Sequence, residues 1–259
     1  MKKIILMIVL LWSCCSNAQR SDIEKLLNME QYDQAEIISQ QWIRDKPTDA
    51  NAWFWHGRVM AVQASNSFFS AFSYANESLE AFKKAVELEP SNPMMVMGLV
   101  GYYRNAPSIV GGGEAHARAL IKQSYIGYPE RYEFQLHYGL VLQQEKKWAD
   151  AFQLFEKMMS AEQLPERLMG YYQFARTSIF SESRTADGAN ALKNYLHDIA
   201  TLHKPNASLP SADWARYRLA QLYARQGAQQ QFDALVKARD NHEEEALSEA
   251  WQSLLSQRQ

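Results

Sequence analysis

The sequence predicts an all-α chain: five to six helix pairs stacked as an α-α superhelix and closed by a C-terminal capping helix. Three observations carry this prediction. Prolines recur, with Pro47, Pro90, Pro129 and Pro165 lying 43, 39 and 36 residues apart, close to the period of about 34 residues at which helix pairs stack. A small residue stands ten positions after several markers, at Gly57, Gly139, Ala175 and, counted from Pro210, Ala220. Hydrophobic residues make up 47% of the chain while glycine (11) and proline (8) are scarce, which leaves much to bury and too few turn residues for an all-β fold.

The first element is a targeting segment. Lys2 and Lys3 precede the apolar run Ile4 to Trp12, which is too short to cross a bilayer as a helix. Ser16 and Ala18 place small residues where a signal peptidase needs them, for cleavage before Gln19. The stretch Leu11-Trp12-Ser13-Cys14 resembles a lipobox, in which Cys14 would be lipidated and become the N-terminus. The signal peptide is then 1–18, or 1–13 in the lipoprotein reading. Both readings export the chain from a bacterial cytoplasm, to the periplasm, to the exterior or to the outer membrane as a lipoprotein. Both cysteines, Cys14 and Cys15, lie in this segment, so stability elsewhere rests on apolar packing without a disulfide.

The repeat array is expected over 19–241. Ser21 with Glu24 has capping-box spacing for the first helix. Tyr32 and Ala35 precede Pro47, Trp53 and Gly57 follow it, and Phe82 and Ala85 lead to Pro90. The most regular unit carries Gly139, Trp148, Ala151 and Phe155. In each unit a small residue on the first helix admits the second at close range, and large residues fill the remaining space. Proline then ends the second helix. Residues 242–259 read as the cap, with Ala246, Ala250, Trp251 and Leu254 facing the last pair.

These residues resemble the pattern W-x2-L-G-x2-Y, A-x3-F, P of tetratricopeptide repeats over roughly residues 21–240. His56, Gln135 and Val100 depart from it, standing at the leucine, tryptophan and glycine positions. The stretch from Tyr102 to Ala117, "YYRNAPSIVGGGEAHA", is also similar to a segment of exported bacterial tetratricopeptide proteins of poorly defined role. The resemblance implies a non-enzymatic scaffold of the cell envelope that binds a peptide or protein in a concave groove.

On helical spacing, the groove stripe comprises Phe54 and Arg58, then Met97 and Arg104, then Leu136, Tyr172 and Arg176, and last Trp214, Tyr217 and Arg225. Aromatic and methionine side chains offer adaptable apolar contact and arginine grips carboxylates, a mixture suited to a protein ligand. The formal charge of −2 supplies no basic excess for nucleic acid, and a membrane is expected as a partner only through a lipid anchor.

No catalytic, cofactor or metal site is expected. The six histidines match no metal spacing, and no G-x-S-x-G occurs. The run Gly111-Gly112-Gly113 lacks the lysine and hydroxyl residue of a phosphate loop, and reads as an enlarged turn between two helices, over 105–113. A second insertion, 61–78, carries Phe68, Phe69, Phe72 and Tyr74. It reads as extra core, a lengthened helix pair or an apolar lid. The lid favours an alternative function, binding a small molecule or peptide for a transporter or envelope enzyme.

Overall fold

The computed structural model describes residues 18–202, 204, 206–239 and 244–256. The targeting segment through Cys14 and Ser16 lies outside the described residues. Among the described residues the chain is all-α, with thirteen helices, one 3-10 turn and no strand. None of these helices is long and apolar enough to cross a membrane. The chain forms two compact units, one ending at Phe134 and one beginning at Gln135.

The first unit contains α1 (18–28), α2 (Tyr32–Asp45), α3 (Ala50–Asn66), α4 (Ala71–Leu88), α5 (Pro93–Asn105) and α6 (Glu114–Gly127). The marker prolines set three of its helix ends. Lys46, Glu89 and Tyr128 have φ of −139°, −134° and −141°, and each precedes a proline whose ring denies it the helical region. The next helices start from side-chain caps. Asp49 accepts from the Asn51 N–H at 3.0 Å, and Asn92 from the Met94 N–H at 3.0 Å, with Pro93 in the first turn. Asp49 also accepts from Trp42 Nε1 at 3.1 Å, which ties the α3 cap to the core. Trp42, Trp55 and Met60 are fully buried, and Phe54 meets Phe82 edge to face at 5.7 Å.

His56, at the position where the repeat has leucine, is a buried polar pin. Its Nδ1 lies 3.0 Å from Ser39 Oγ on α2 and its Nε2 lies 2.9 Å from Glu77 Oε1 on α4. The expected capping box fails, because α1 is already helical at residue 18 and Glu24 pairs with Arg20 at 3.3 Å. Extra core holds only at the α4 end of the 61–78 insertion, where Ala75 and Ser78 are buried and Tyr74 packs on the core. The insertion lengthens α3 and α4, and leaves Phe68, Phe69 and Phe72 exposed.

The second unit contains most of α7 (Tyr132–Gln144), then α8 (Trp148–Met158), α9 (Leu164–Ser181), α10 (Thr185–Ile199), α11 (Ala212–Gln226), α12 (Gln229–Lys237) and α13 (Glu245–Ser256). A Cβ at Gly139 would fall inside contact distance of the fully buried Phe155 ring, so glycine there permits the close approach of α7 and α8. Pro165 departs from the expected role: it lies in the first turn of α9 rather than closing α8, where its missing N–H costs nothing. The α13 helix packs Leu247, Trp251 and Leu254 against Tyr217, Ala220 and Phe232. Ala246 is exposed, which corrects the phase of the expected apolar face by one position.

Candidate functional site

The two insertions flagged by the repeat spacing meet in the first unit. Together they help to wall an open cavity of about 780 Å³, within the range of about 300–1,000 Å³ of ligand sites. The regular part of α3 supplies Phe54 and Arg58, its lengthened end Ala61 and Val62, and the 67–70 turn with early α4 Phe68, Phe69 and Phe72. Met97 and Gly101 come from α5, and Ile109 and Val110 from the 3-10 turn Ser108–Val110. The lining is overwhelmingly apolar. Phe68, Phe69 and Ile109 stand 89%, 95% and 78% exposed at its mouth, a concentration of wet apolar surface that marks interaction sites.

Tyr102 fastens the two insertions to one another. Its hydroxyl lies 2.9 Å from the Ala75 carbonyl on α4 and 2.8 Å from the Val110 carbonyl of the turn. Burial pushes this phenol above its ordinary range, reinforced by Tyr103. Arg104 closes the turn from outside, pairing with Glu114 at 3.1 Å.

The glycines do the work of a turn. Gly111 has φ 84°, and a Cβ at Gly112 would run into the Ala106 carbonyl. The three glycine N–H groups donate to Ser108, Pro107 and Tyr103 carbonyls at 3.0, 3.1 and 2.6 Å, so the backbone amides that could cradle an anion are already used.

A serine–histidine–carboxylate chain does occur, at Ser39, His56 and Glu77, and sequence reading missed it because the three are scattered over three helices. Ser39 is fully buried and its hydroxyl donates to the Glu36 carbonyl at 3.0 Å. No substrate carbonyl can reach it, so the chain is structural. Among the described residues no group of three His, Cys, Asp or Glu side chains is placed to hold a metal.

No family model and no curated protein matches the chain. Solved structures do. PilW, a widely conserved type IV pilus biogenesis factor, is similar with a TM-score of 0.58 over 93% of this chain and 98% of its own, at 14% identity. A tetratricopeptide repeat protein of Parabacteroides merdae gives 0.55 over 86% and 77%, at 14% identity. PilF of Pseudomonas aeruginosa gives 0.55 over 92% and 96%, at 15% identity.

The fold is the tetratricopeptide-repeat fold. Residues of the expected groove stripe fall in different surroundings. In the first unit Phe54, Arg58 and Met97 line the cavity, with the Arg58 guanidinium 4.4 Å from the Trp55 ring centroid. Arg104 is turned away to Glu114. In the second unit Leu136 is half-buried. Tyr172 and Tyr217 are core residues of the tetratricopeptide packing, set against Tyr195 at 5.6 Å and Trp251 at 5.3 Å. Arg225 donates to the Ile179 carbonyl and pairs with Glu182 at 3.5 Å. Trp214 and Arg176 stay half-exposed. The regular stripe omitted Tyr102, Phe68, Phe69 and Ile109, because insertions break the register on which such a stripe is counted.

Proposed function

We propose that the protein is a non-enzymatic scaffold that holds a partner protein or peptide by seating its large apolar side chains in the cavity of the first unit. The observation that carries this reading is the apolar cavity itself, framed by phenylalanines that face water. Arg58 at its rim has no carboxylate partner among the described residues, which favours an acidic group next to the apolar anchors of the partner. The type IV pilus biogenesis factor shares only the fold, so the partner is argued from the cavity and not from that protein.

The chain is read as exported and acting in the bacterial envelope, with 1–18 removed or Cys14 lipidated, 19–241 as the repeat array and 242–259 as its cap. Mass spectrometry of the mature N-terminus distinguishes Gln19 from a lipidated Cys14.

Gly101 allows a direct test of the cavity. It lines the cavity, and a Cβ there meets no atom within 4 Å. Gly101→Leu therefore projects an apolar side chain toward the cavity from a Cβ that meets no wall atom, and replaces a helix-interior glycine by a good helix former. In envelope crosslinking, the variant is expected to fold and to lose the proteins that the parent captures. Undiminished capture by the folded variant would remove the cavity from the binding site. A second reading is a small apolar ligand, favoured by the volume and apolar lining of the cavity; native mass spectrometry would then find a bound molecule in the parent and none in Gly101→Leu.

A further inference from the structure

Both insertions lack charge. Asp, Glu, Lys and Arg make up 22% of the chain, yet none of them stands from Val59 to Asn76 or from Asn105 to Gly113. The centre of a protein–protein interface is depleted of charge and enriched in aromatic residues in this way. The same two segments hold Phe68, Phe69 and Ile109 largely in water, with Phe72 more than half exposed.

The patch is also its own complement. It carries a hole, the cavity lined by Met97 and Gly101, and at its mouth the outward-facing rings of Phe68 and Phe69. A surface with a knob beside a hole pairs with a copy of itself about a two-fold axis. The rings of one copy enter the cavity of the other, and the reverse contact follows by symmetry. The available area suffices. Four phenylalanines bury about 150–250 Å² each. With the walls that they cover, the pair buries on the order of 1,200 Å², the lower end of stable specific interfaces.

We propose that the protein self-associates through this face, as a two-fold pair in which Phe68 and Phe69 of each copy occupy the cavity of the other. The proposal rests on the reading of the cavity as a protein-binding site and names a second copy as its occupant. Arg58 is exposed and rests on the Trp55 ring at 4.4 Å, so its guanidinium can take an entering ring without an ion pair. A second copy brings no acid with its phenylalanines, so a partner that carries one has the advantage at Arg58 and displaces it.

The test is sedimentation equilibrium of the full exported chain over a range of concentrations. Unfolding midpoints in dilute solution confirm that each variant is folded. The parent is expected to interconvert between monomer and dimer. Added salt should leave the dimer undiminished, because the paired segments carry no charge to screen. Phe68→Ser with Phe69→Ser removes the rings, and Gly101→Leu crowds the cavity; each is expected to weaken self-association tenfold or more. An equimolar mixture of the two should form more dimer than either alone, since the rings of the Gly101→Leu copy meet the open cavity of the serine copy. A parent still monomeric at about 100 μM, well above the micromolar range of weak specific interfaces, would overturn the proposal. So would a dimer that both variants retain, one that salt dissolves, or a mixture without the gain. A monomeric parent whose Gly101→Leu variant loses its captured proteins overturns the second copy alone and leaves the cavity as a site for another protein.

Discussion

The Tyr102 hydroxyl donates to the Val110 carbonyl at 2.8 Å, so one side chain of α5 holds the inserted turn that walls the cavity. The same oxygen lies 2.9 Å from the Ala75 carbonyl. Tyr102→Phe keeps the ring and removes this link. The expected loss is about 1 kcal/mol in urea unfolding, with faster amide exchange at Gly111 and Gly112. Unchanged exchange there would mean that the backbone bonds of the turn suffice without the tyrosine.

Two helix glycines should respond to alanine with opposite signs. At Gly139 the new methyl meets the buried Phe155 ring, and overpacking of this kind costs about 1–3 kcal/mol. At Gly101 the methyl enters open space, and the gain in helix propensity is about 1 kcal/mol. Chemical denaturation of the two single variants checks both. If Gly139→Ala were neutral, the close approach of α7 and α8 would not be a constraint.

Exposed Phe68 and Phe69 stack edge to face at 5.1 Å and bury little on folding. Phe68→Ser with Phe69→Ser should leave the unfolding midpoint within the scatter of ordinary surface changes, about 0.5 kcal/mol, while partner capture falls. A large drop in stability would assign these rings to the core instead.

Alkaline pH should destabilise the protein through buried phenols. Burial raises the Tyr195 hydroxyl strongly, with Tyr172 adding to it, and its O–H donates to the Pro210 carbonyl. Tyr102 is raised in the same direction by burial. The folded state therefore keeps protons that the unfolded chain releases above the ordinary phenol value of about 10. This contribution is complete below pH about 10 and is lost as pH rises beyond it. Tyr195→Phe should flatten the decline of stability above pH 10; an unaltered slope would point to other groups.

Much of the architecture is legible in local chemistry. Pro47, Pro90 and Pro129 each bar the residue before them from the helical region, so the ends of α2, α4 and α6 follow from single positions. Gly139 and Phe155 sit at a spacing that only a close helix pair explains. The phase of α13 was harder to read, because Ala246 and Leu247 are both apolar and only packing on Tyr217 and Phe232 selects between them.

The sequence by itself determined the all-α class, the pairing of helices and the positions of two insertions, because proline, glycine and apolar spacing act over a few residues and need no distant partner. Tertiary structure alone decided what those insertions build. Tyr102 joins Ala75 to Val110 across 27 and 8 residues of chain, and Arg225 reaches the Ile179 carbonyl across 46. Contacts of that range depend on where whole helices come to rest, and no local pattern of residues encodes them.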